Sequence, residues 1–270
     1  MHRIIFTLGP FTLYSYGLMM AVAFIAALLV SIYFANRENM ERARVIDFAT
    51  WVIIGAVIGA RLWFAIENFQ YFRNDIIGIV RIWEGGMVFY GGFLGGALAG
   101  YMYLKTNKYS IPLMADIIAP GFALGIALGR IGCFLNGCCY GRISETCGVP
   151  FPRKDFPPAY YQQLKDDIIE PGAVHSLPVI PTQLIAAGAA LIIFSILFFI
   201  YRKKLFDGSV FYSFLILYGL DRFILDFYRY YSPNAMKTIG LSISQFTSLA
   251  IVLLGISLFV FSYRKRRASS

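Results

Sequence analysis

From Ile4 to Asn36 the chain carries no charged residue, and comparable apolar stretches recur toward its C-terminal end. In lipid an unpaired backbone amide is costly, so an apolar run of about 20 residues is stable there only as a helix that satisfies its own N–H and C=O groups. Seven stretches are expected to be transmembrane helices: about 14 to 35, 46 to 66, 86 to 104, 112 to 133, 182 to 201, 209 to 227 and 241 to 262. Hydrophobic residues make up 58% of the 270 and charged ones 14%, which excludes a soluble globular domain. Seven spans and their connections leave no room for a second domain. The chain therefore reads as one all-α transmembrane domain over 1 to 270, a polytopic helical bundle. The first stretch is too long for a signal-peptide core and is broken by Gly9 and Pro10, so residues 1 to 12 read as an outer-surface lead-in.

A net charge of +9 would suggest nucleic acid in a soluble protein, but in a membrane protein basic residues first fix topology. One set of short connections concentrates Arg37, Arg42 and Arg44, then Lys105 and Lys108, then Arg202, Lys203 and Lys204, then Arg264, Lys265, Arg266 and Arg267. The opposite set spreads its basic residues over longer segments. Dense basic loops mark the cytoplasmic side, so the N-terminus faces outward and the C-terminus inward. The segment 140 to 180, rich in proline, then lies outside as an arm or lid, with Gln162 to Asp167 forming a short surface helix. Nucleic acid is not an expected partner. Glycines at four-residue spacing (Gly55 and Gly59; Gly92, Gly96 and Gly100; Gly121, Gly125 and Gly129) are read as close helix packing.

Ionisable groups inside a span cost about 2.5 to 3.5 kcal/mol each on insertion scales, so retained ones line polar cavities or pair with one another. Arg61, Glu67, Glu84, Asp116, Arg130, Arg222 and Asp226 lie in spans or at their edges, with Asp221 adjoining. Arg61 with Glu67 reads as an interhelical ion pair or as function. Arg222 and Asp226, four apart, share a helix face and can pair. Under the seven-span topology Arg130 and Arg222 both end outward. Two planar, permanently charged guanidiniums there suit the phosphate of a lipid headgroup, or any anionic transport substrate.

The densest local pattern is Gly129-Arg130-Ile131-Gly132-Cys133-Phe134-Leu135-Asn136-Gly137-Cys138-Cys139-Tyr140-Gly141-Arg142, a helix that delivers an arginine, an asparagine and three cysteines into a glycine turn. It resembles the signature of the prolipoprotein diacylglyceryl transferase family, approximately Gly-Arg-x-Gly-Asn-Phe-x-Asn-x-Glu-x-x-Gly-Arg. Further motifs follow in order: Tyr16-Gly17-Leu18, Gly59 to Leu62, Gly85-Gly86-Met87 with Gly91-Gly92, Pro181-Thr182-Gln183-Leu184, and Arg222-Phe223-Ile224-Leu225-Asp226-Phe227. The resemblance implies a bacterial inner-membrane enzyme with seven spans. Its reaction is transfer of the diacylglyceryl group of phosphatidylglycerol to the lipobox cysteine thiol of a preprolipoprotein signal peptide, with glycerol phosphate leaving. It further implies membrane lipid as surroundings, no cofactor, and phosphatidylglycerol binding by Arg130, Tyr16, Asn136, Gly141 and Gly91.

The chain departs from that family where proton handling is concerned. The usual histidine is Tyr90, the signature asparagine is Cys133, the signature glutamate is Cys138, and a common glutamate is Ala186. The departing phosphate can be stabilised by Arg130 and Arg222. The attacking thiol, with an ordinary pKa near 8.5, needs a base. Tyr90, with a reference value near 10, is a poor one, and Asp226 serves only where Arg222 does not neutralise it. Cys133 and Cys138 are candidates for a thiol role in place of the family's acid. Burial as small side chains and a bridge from Cys138 or Cys139 to Cys147 both stay open. No metal is expected, since the cysteines lack both histidine neighbours and the paired spacing of a zinc site. Other functions also stay open: a lipid or isoprenoid transferase with another acceptor, an anionic-lipid transporter, and a membrane thiol redox protein. Transport is favoured by inverted repeats, and none is visible.

Overall fold

The computed structural model describes residues 3–8, 11–73, 75–231, 237–238 and 240–269. His2, Gly9 and Pro10 fall outside these residues, as does the side chain of Glu84. The elements are β1 (Ile4–Leu8), β2 (Phe11–Tyr14), α1 (Ser15–Arg37), α2 (Arg42–Glu67), α3 (Phe69–Phe72), 3-10 turns at Ile76–Val80 and Ile82–Glu84, α4 (Phe89–Thr106), α5 (Ile111–Asn136), α6 (Pro158–Lys165), α7 (Thr182–Arg202), α8 (Ser209–Asp226), β3 (Lys237–Thr238), β4 (Leu241–Ser242) and α9 (Ile243–Ser269). A helix lies at each of the seven apolar stretches. Five of them, α1, α2, α5, α7 and α9, are long and apolar enough to cross a membrane. Two fall short for different reasons. Both α4 and α8, with 18 residues, are long enough to cross. In α4 the apolar character is diluted by glycine and tyrosine; α8 carries Asp221, Arg222 and Asp226.

The described helices leave Phe24, Ile25 and Leu29 of α1, Ile58 and Leu62 of α2, and Leu253 and Leu254 of α9 exposed. Apolar surface on this scale is stable against lipid and not against water. The chain is a multi-pass membrane protein.

Two compact units form, residues 31–114 and residues 1–30 with 115–270. In the first, α2 lies against α4 along a glycine seam. A Cβ on Gly59 would stand 2.3 Å from the Gly91 carbonyl oxygen, and one on Gly95 would stand 2.3 Å from that of Gly55. The closest approach thus runs through Gly91 and Gly95, one residue before the expected Gly92 and Gly96, whose added Cβ atoms would stand 3.3 and 3.2 Å from their nearest neighbours.

Arg61 is buried here but makes no pair with Glu67, whose Oε1 accepts from Trp63 Nε1 at 2.7 Å. Its guanidinium instead donates to the carbonyls of Gly78 (2.7 Å), Ile79 (2.7 Å), Arg81 (3.0 Å), Gly85 and Gly86 (3.1 Å). The Gly78 carbonyl also accepts the Arg81 amide (3.1 Å), and the donors of one planar group reach it and the other four carbonyls together.

In the other unit, β1 and β2 form an antiparallel hairpin where only a lead-in was expected. Its Arg3 donates to Asn136 Oδ1 (3.2 Å) and to the carbonyl of Asp155 (2.9 Å). Asp116, a suspected functional charge, proves to be an anchor. Its carboxylate accepts from the amides of Gly208 (2.7 Å), Val210 (2.9 Å) and Phe211 (2.9 Å), which caps the N-terminus of α8 where the helix dipole favours negative charge. The segment 140–180 folds around Tyr140, Phe151, Ala159 and Val179, with Phe134 and Tyr230 packed against them. Its helix α6 begins at Pro158, earlier than Gln162, because proline is preorganised for the first helical position.

Candidate functional site

The end of α5 shapes the site. Helix α5 stops at Asn136 because Gly137 takes φ +75°, the left-handed conformation that closes a helix. The Cys138 amide then donates to the Cys133 carbonyl (3.1 Å) and the Gly137 amide to that of Phe134 (3.1 Å). These two bonds make a Schellman turn, which sets the residue after the glycine beside the last full turn of the helix. Cys138 is thereby brought to Cys133, and Cys139, itself at φ +61°, follows. The three sulfurs all lie within 4.8 Å of one another. A side chain at Gly137 would be strained and would meet Phe151 and Pro157 under 3.0 Å.

The turn is held from the start of α7. Gln183 Nε2 donates to the Cys138 carbonyl at 2.8 Å and Thr182 Oγ1 to the Cys139 carbonyl at 2.8 Å, and both side chains are buried. Beyond the turn, the Gly141 amide donates to Ile180 (2.8 Å) and that of Arg142 to Tyr228 (2.9 Å). A Cβ on Gly141 would lie 2.6 Å from the Tyr228 carbonyl oxygen, so only glycine lets these chains meet. All four cysteines are free thiols. Cys147 is exposed and stands apart from the cluster, so the bridge to Cys147 left open by the sequence does not form. Cysteine spacing alone concealed the cluster, because a Schellman turn rather than a C-x-x-C knuckle brings the sulfurs together.

Cations surround the turn. Arg130, on α5, lies against the Tyr218 hydroxyl and within electrostatic range of Cys133, Cys139, Asp221 and Arg222. Tyr16, at the start of α1, lies within range of Arg130 and the three thiols, and Gly132 packs against Tyr16 and Met19. Arg222, on α8, has Nη2 3.8 Å from Asp226 Oδ1. Its Nη1 is buried with no hydrogen-bond partner, and so is Gln183 Oε1. Buried polar atoms are nearly always satisfied, so an orphaned cationic donor and an orphaned acceptor mark places prepared for a ligand. Asp226 is less available as a base than the sequence suggested. It is buried, its Oδ1 accepts from Tyr231 (2.5 Å), and its Oδ2 accepts from Ser242.

Arg229, which the sequence did not single out as a site residue, lines a cavity of about 270 Å³ with Cys139, Tyr140, Gln162 and Tyr230. The neighbouring Cys133 and Cys138 thiols, then the Arg229 and Arg130 guanidiniums, hold the Cys139 pKa below the ordinary thiol value. Tyr230 stacks on Tyr140 at 5.6 Å and donates to Asp166 Oδ2 at 2.7 Å. Burial, followed by that bond to Asp166, pushes its phenol up to about 12.

The site thus gathers Tyr16, Arg130, Cys133, Asn136, Cys138, Gly141, Arg222 and Asp226 in one unit. Tyr90 and Gly91 belong to the other: Tyr90 is exposed in the first turn of α4, and Gly91 is occupied in the seam with α2, where a Cβ would stand 2.3 Å from that of Trp63. Gln183 and Cys139 were missed as site residues, although the Pro-Thr-Gln-Leu motif was a signal for the first.

The family model for prolipoprotein diacylglyceryl transferase matches residues 3–261. The chain is 33% identical over 272 residues to the phosphatidylglycerol–prolipoprotein diacylglyceryl transferase of Geobacter sulfurreducens, covering 97% of this chain and 96% of that one. It is 33% identical over 281 residues to the protein of the same name from Paraburkholderia xenovorans (96% and 92% covered). With that of Burkholderia cenocepacia it shares 31% over 283 residues (97% and 95%).

Proposed function

The chain belongs to the prolipoprotein diacylglyceryl transferase family, and from that premise we propose that it transfers the diacylglyceryl group of phosphatidylglycerol to the thiol of a lipobox cysteine in a preprolipoprotein signal peptide. The observation that carries this reading is the buried, unpartnered Nη1 of Arg222 in electrostatic range of Arg130. A lipid phosphate supplies the oxygen acceptor that this donor lacks, and the hydroxyls of the glycerol headgroup supply donors for Gln183 Oε1. Relatives named for this activity and matched over nearly the whole chain favour it over a transporter or an isoprenoid transferase.

In the reaction the substrate thiol gives up its proton to solvent, its sulfur attacks the glyceryl carbon, the C–S bond forms, and the C–O bond to phosphate breaks with its electron pair on glycerol phosphate. Arg130 and Arg222 hold that phosphate and take up the charge it gains, a role worth about 2.7 to 4 kcal/mol per preorganised donor. Asp226, braced by Tyr231 and Ser242, holds the Arg222 fork in place. Tyr16, Asn136 and Gly141 shape the headgroup site. Tyr90 and Gly91, on the other unit, belong to the same assignment, with Tyr90 orienting substrate rather than abstracting its proton.

The setting is the bacterial inner membrane. Helices α1, α2, α4, α5, α7, α8 and α9 make seven spans, the N-terminus outside, the C-terminus cytoplasmic, and residues 140–180 over the outer side. The test supplies purified chain with phosphatidylglycerol labelled in its headgroup and a lipobox peptide. Glycerol phosphate is released only when the peptide carries its cysteine, Arg130→Ala abolishes release, and Tyr90→Phe retains it. Headgroup movement without bond cleavage would overturn the reading.

A further inference from the structure

We propose that Cys133, Cys138 and Cys139 form a tri-thiolate site for a soft metal ion of the zinc class, with a fourth position open to the thiol of the incoming peptide. The role of the fourth position rests on the transferase reading above; the metal site itself does not.

The geometry is already close to a metal site. Zinc–sulfur bonds of about 2.3 Å in a tetrahedron place sulfurs about 3.8 Å apart. The three sulfurs here lie within 4.8 Å of one another, so binding needs at most about 1 Å of contraction. The backbone that presents them is fixed at three points: the left-handed Gly137, the Gln183 bond to the Cys138 carbonyl, and the Thr182 bond to the Cys139 carbonyl. Three sulfur donors select Zn²⁺ or Cu⁺ over magnesium or calcium, which prefer oxygen. Three thiolates on a divalent ion leave one excess negative charge, and the Arg130 and Arg229 guanidiniums are placed to offset it. Three protein ligands with an open position are the arrangement of catalytic rather than structural zinc.

An open position on such an ion resolves the missing base. The reactive group of the peptide is itself a thiol, a soft ligand, and a thiol that coordinates zinc loses its proton outright. On coordination the S–H bond breaks and the proton passes to water. The metal-held thiolate then attacks carbon as the phosphate departs. Neither Tyr90 nor Asp226 has to take a proton.

The experiment uses the full chain purified in detergent, with Zn²⁺ measured by mass spectrometry and Co²⁺ as a spectroscopic probe. We expect one equivalent of metal per chain and a tetrahedral thiolate-to-cobalt spectrum. Cys133→Ser and Cys139→Ser should each weaken binding at least tenfold, while Cys147→Ser leaves it unchanged. Should either variant unfold, Cys138→Ala replaces it. The lipobox peptide should perturb the cobalt spectrum, and the same peptide with serine for cysteine should not. Chelation should reduce transfer at least tenfold, and Zn²⁺ should restore it.

Absence of bound metal, equal loss in Cys147→Ser, or recovery of two of the three thiols as a disulfide would overturn the site. Bound metal with chelator-insensitive transfer would overturn its role toward the substrate. Stoichiometric cobalt binding in a chain that transfers nothing from phosphatidylglycerol would instead sink the transferase reading and leave the metal site standing.

Discussion

Arg222→Met separates a residue kept for the fold from one kept for an anion. The substitution removes the guanidinium whose Nη2 lies 3.8 Å from Asp226 and whose Nη1 is buried without a partner. Breaking a buried ion pair by deleting one member costs about 3 to 5 kcal/mol when the other charge is left uncompensated. Asp226 keeps the hydroxyls of Tyr231 and Ser242, which places the cost at the low end. Against it stands the orphaned donor, whose burial already costs about 1 to 3 kcal/mol and is relieved by methionine. The net loss of stability is about 0 to 2 kcal/mol. A domain stable by about 5 to 15 kcal/mol stays folded under that loss. Transition-state stabilisation should fall much further, by about 2.7 to 4 kcal/mol, or 10²- to 10³-fold in rate. Release of labelled glycerol phosphate gives the rate, and thermal unfolding in detergent gives the stability of the same preparation. A folded variant retaining more than about a tenth of the wild-type rate would refute the assignment of Arg222 to the phosphate. So would a rate that falls only in proportion to the folded fraction.

Gly59→Ala should destabilise the α2–α4 pair by about 1 to 3 kcal/mol, because its Cβ meets backbone that cannot rotate away, whereas Gly188→Ala, facing open space, should raise stability by about 0.5 to 1 kcal/mol; thermal unfolding distinguishes the two, and equal effects would contradict the seam. Arg61→Leu should cost at least about 3 kcal/mol by stranding the carbonyls of Ile79, Arg81, Gly85 and Gly86, with hydrogen exchange rising first across 75–86. For Tyr230, burial and the bond to Asp166 raise the folded-state value to about 12, above the ordinary value near 10. Its stabilising contribution is therefore fully present below about pH 10 and is lost as pH rises toward 12. A phenol titrating near 12 in the wild-type chain and missing from Tyr230→Phe checks this, and one titrating near 10 contradicts it.

The helices were legible because lipid leaves a long apolar stretch one way to satisfy its backbone. Their ends were legible where charge or proline intervened, as at Arg37 and Pro181. The connections were not. Arg61 sits among apolar residues in α2, and nothing within one helical turn says that its partners are carbonyls 17 to 25 residues away. Asp116 was visible as a costly charge, yet its role depends on α8 arriving 92 residues later with three free amides. In the glycine seam, four-residue spacing fits Gly91 and Gly95 as well as Gly92 and Gly96; only the facing helix decides between them.

The same distinction explains what could be seen of the site. Arg130 and Arg222 stood out because each is a permanent charge in an apolar stretch, a property of single residues. The thiol cluster is a property of a turn: Cys133 and Cys138 are five residues apart, a separation that faces no common side of a helix and meets only if the helix stops between them with a left-handed residue. Asn136-Gly137 supplies that stop, so the information lay in the sequence but at the level of turn chemistry rather than of cysteine spacing. The Thr182-Gln183 pair has the same character. Each side chain reads as ordinary helix surface until the Cys138 and Cys139 carbonyls are set in front of it. The turn itself is made by backbone, by Gly137 and by the α7 side chains, so it stands whichever side chains positions 133 and 138 carry, and those side chains decide only what chemistry is displayed on it.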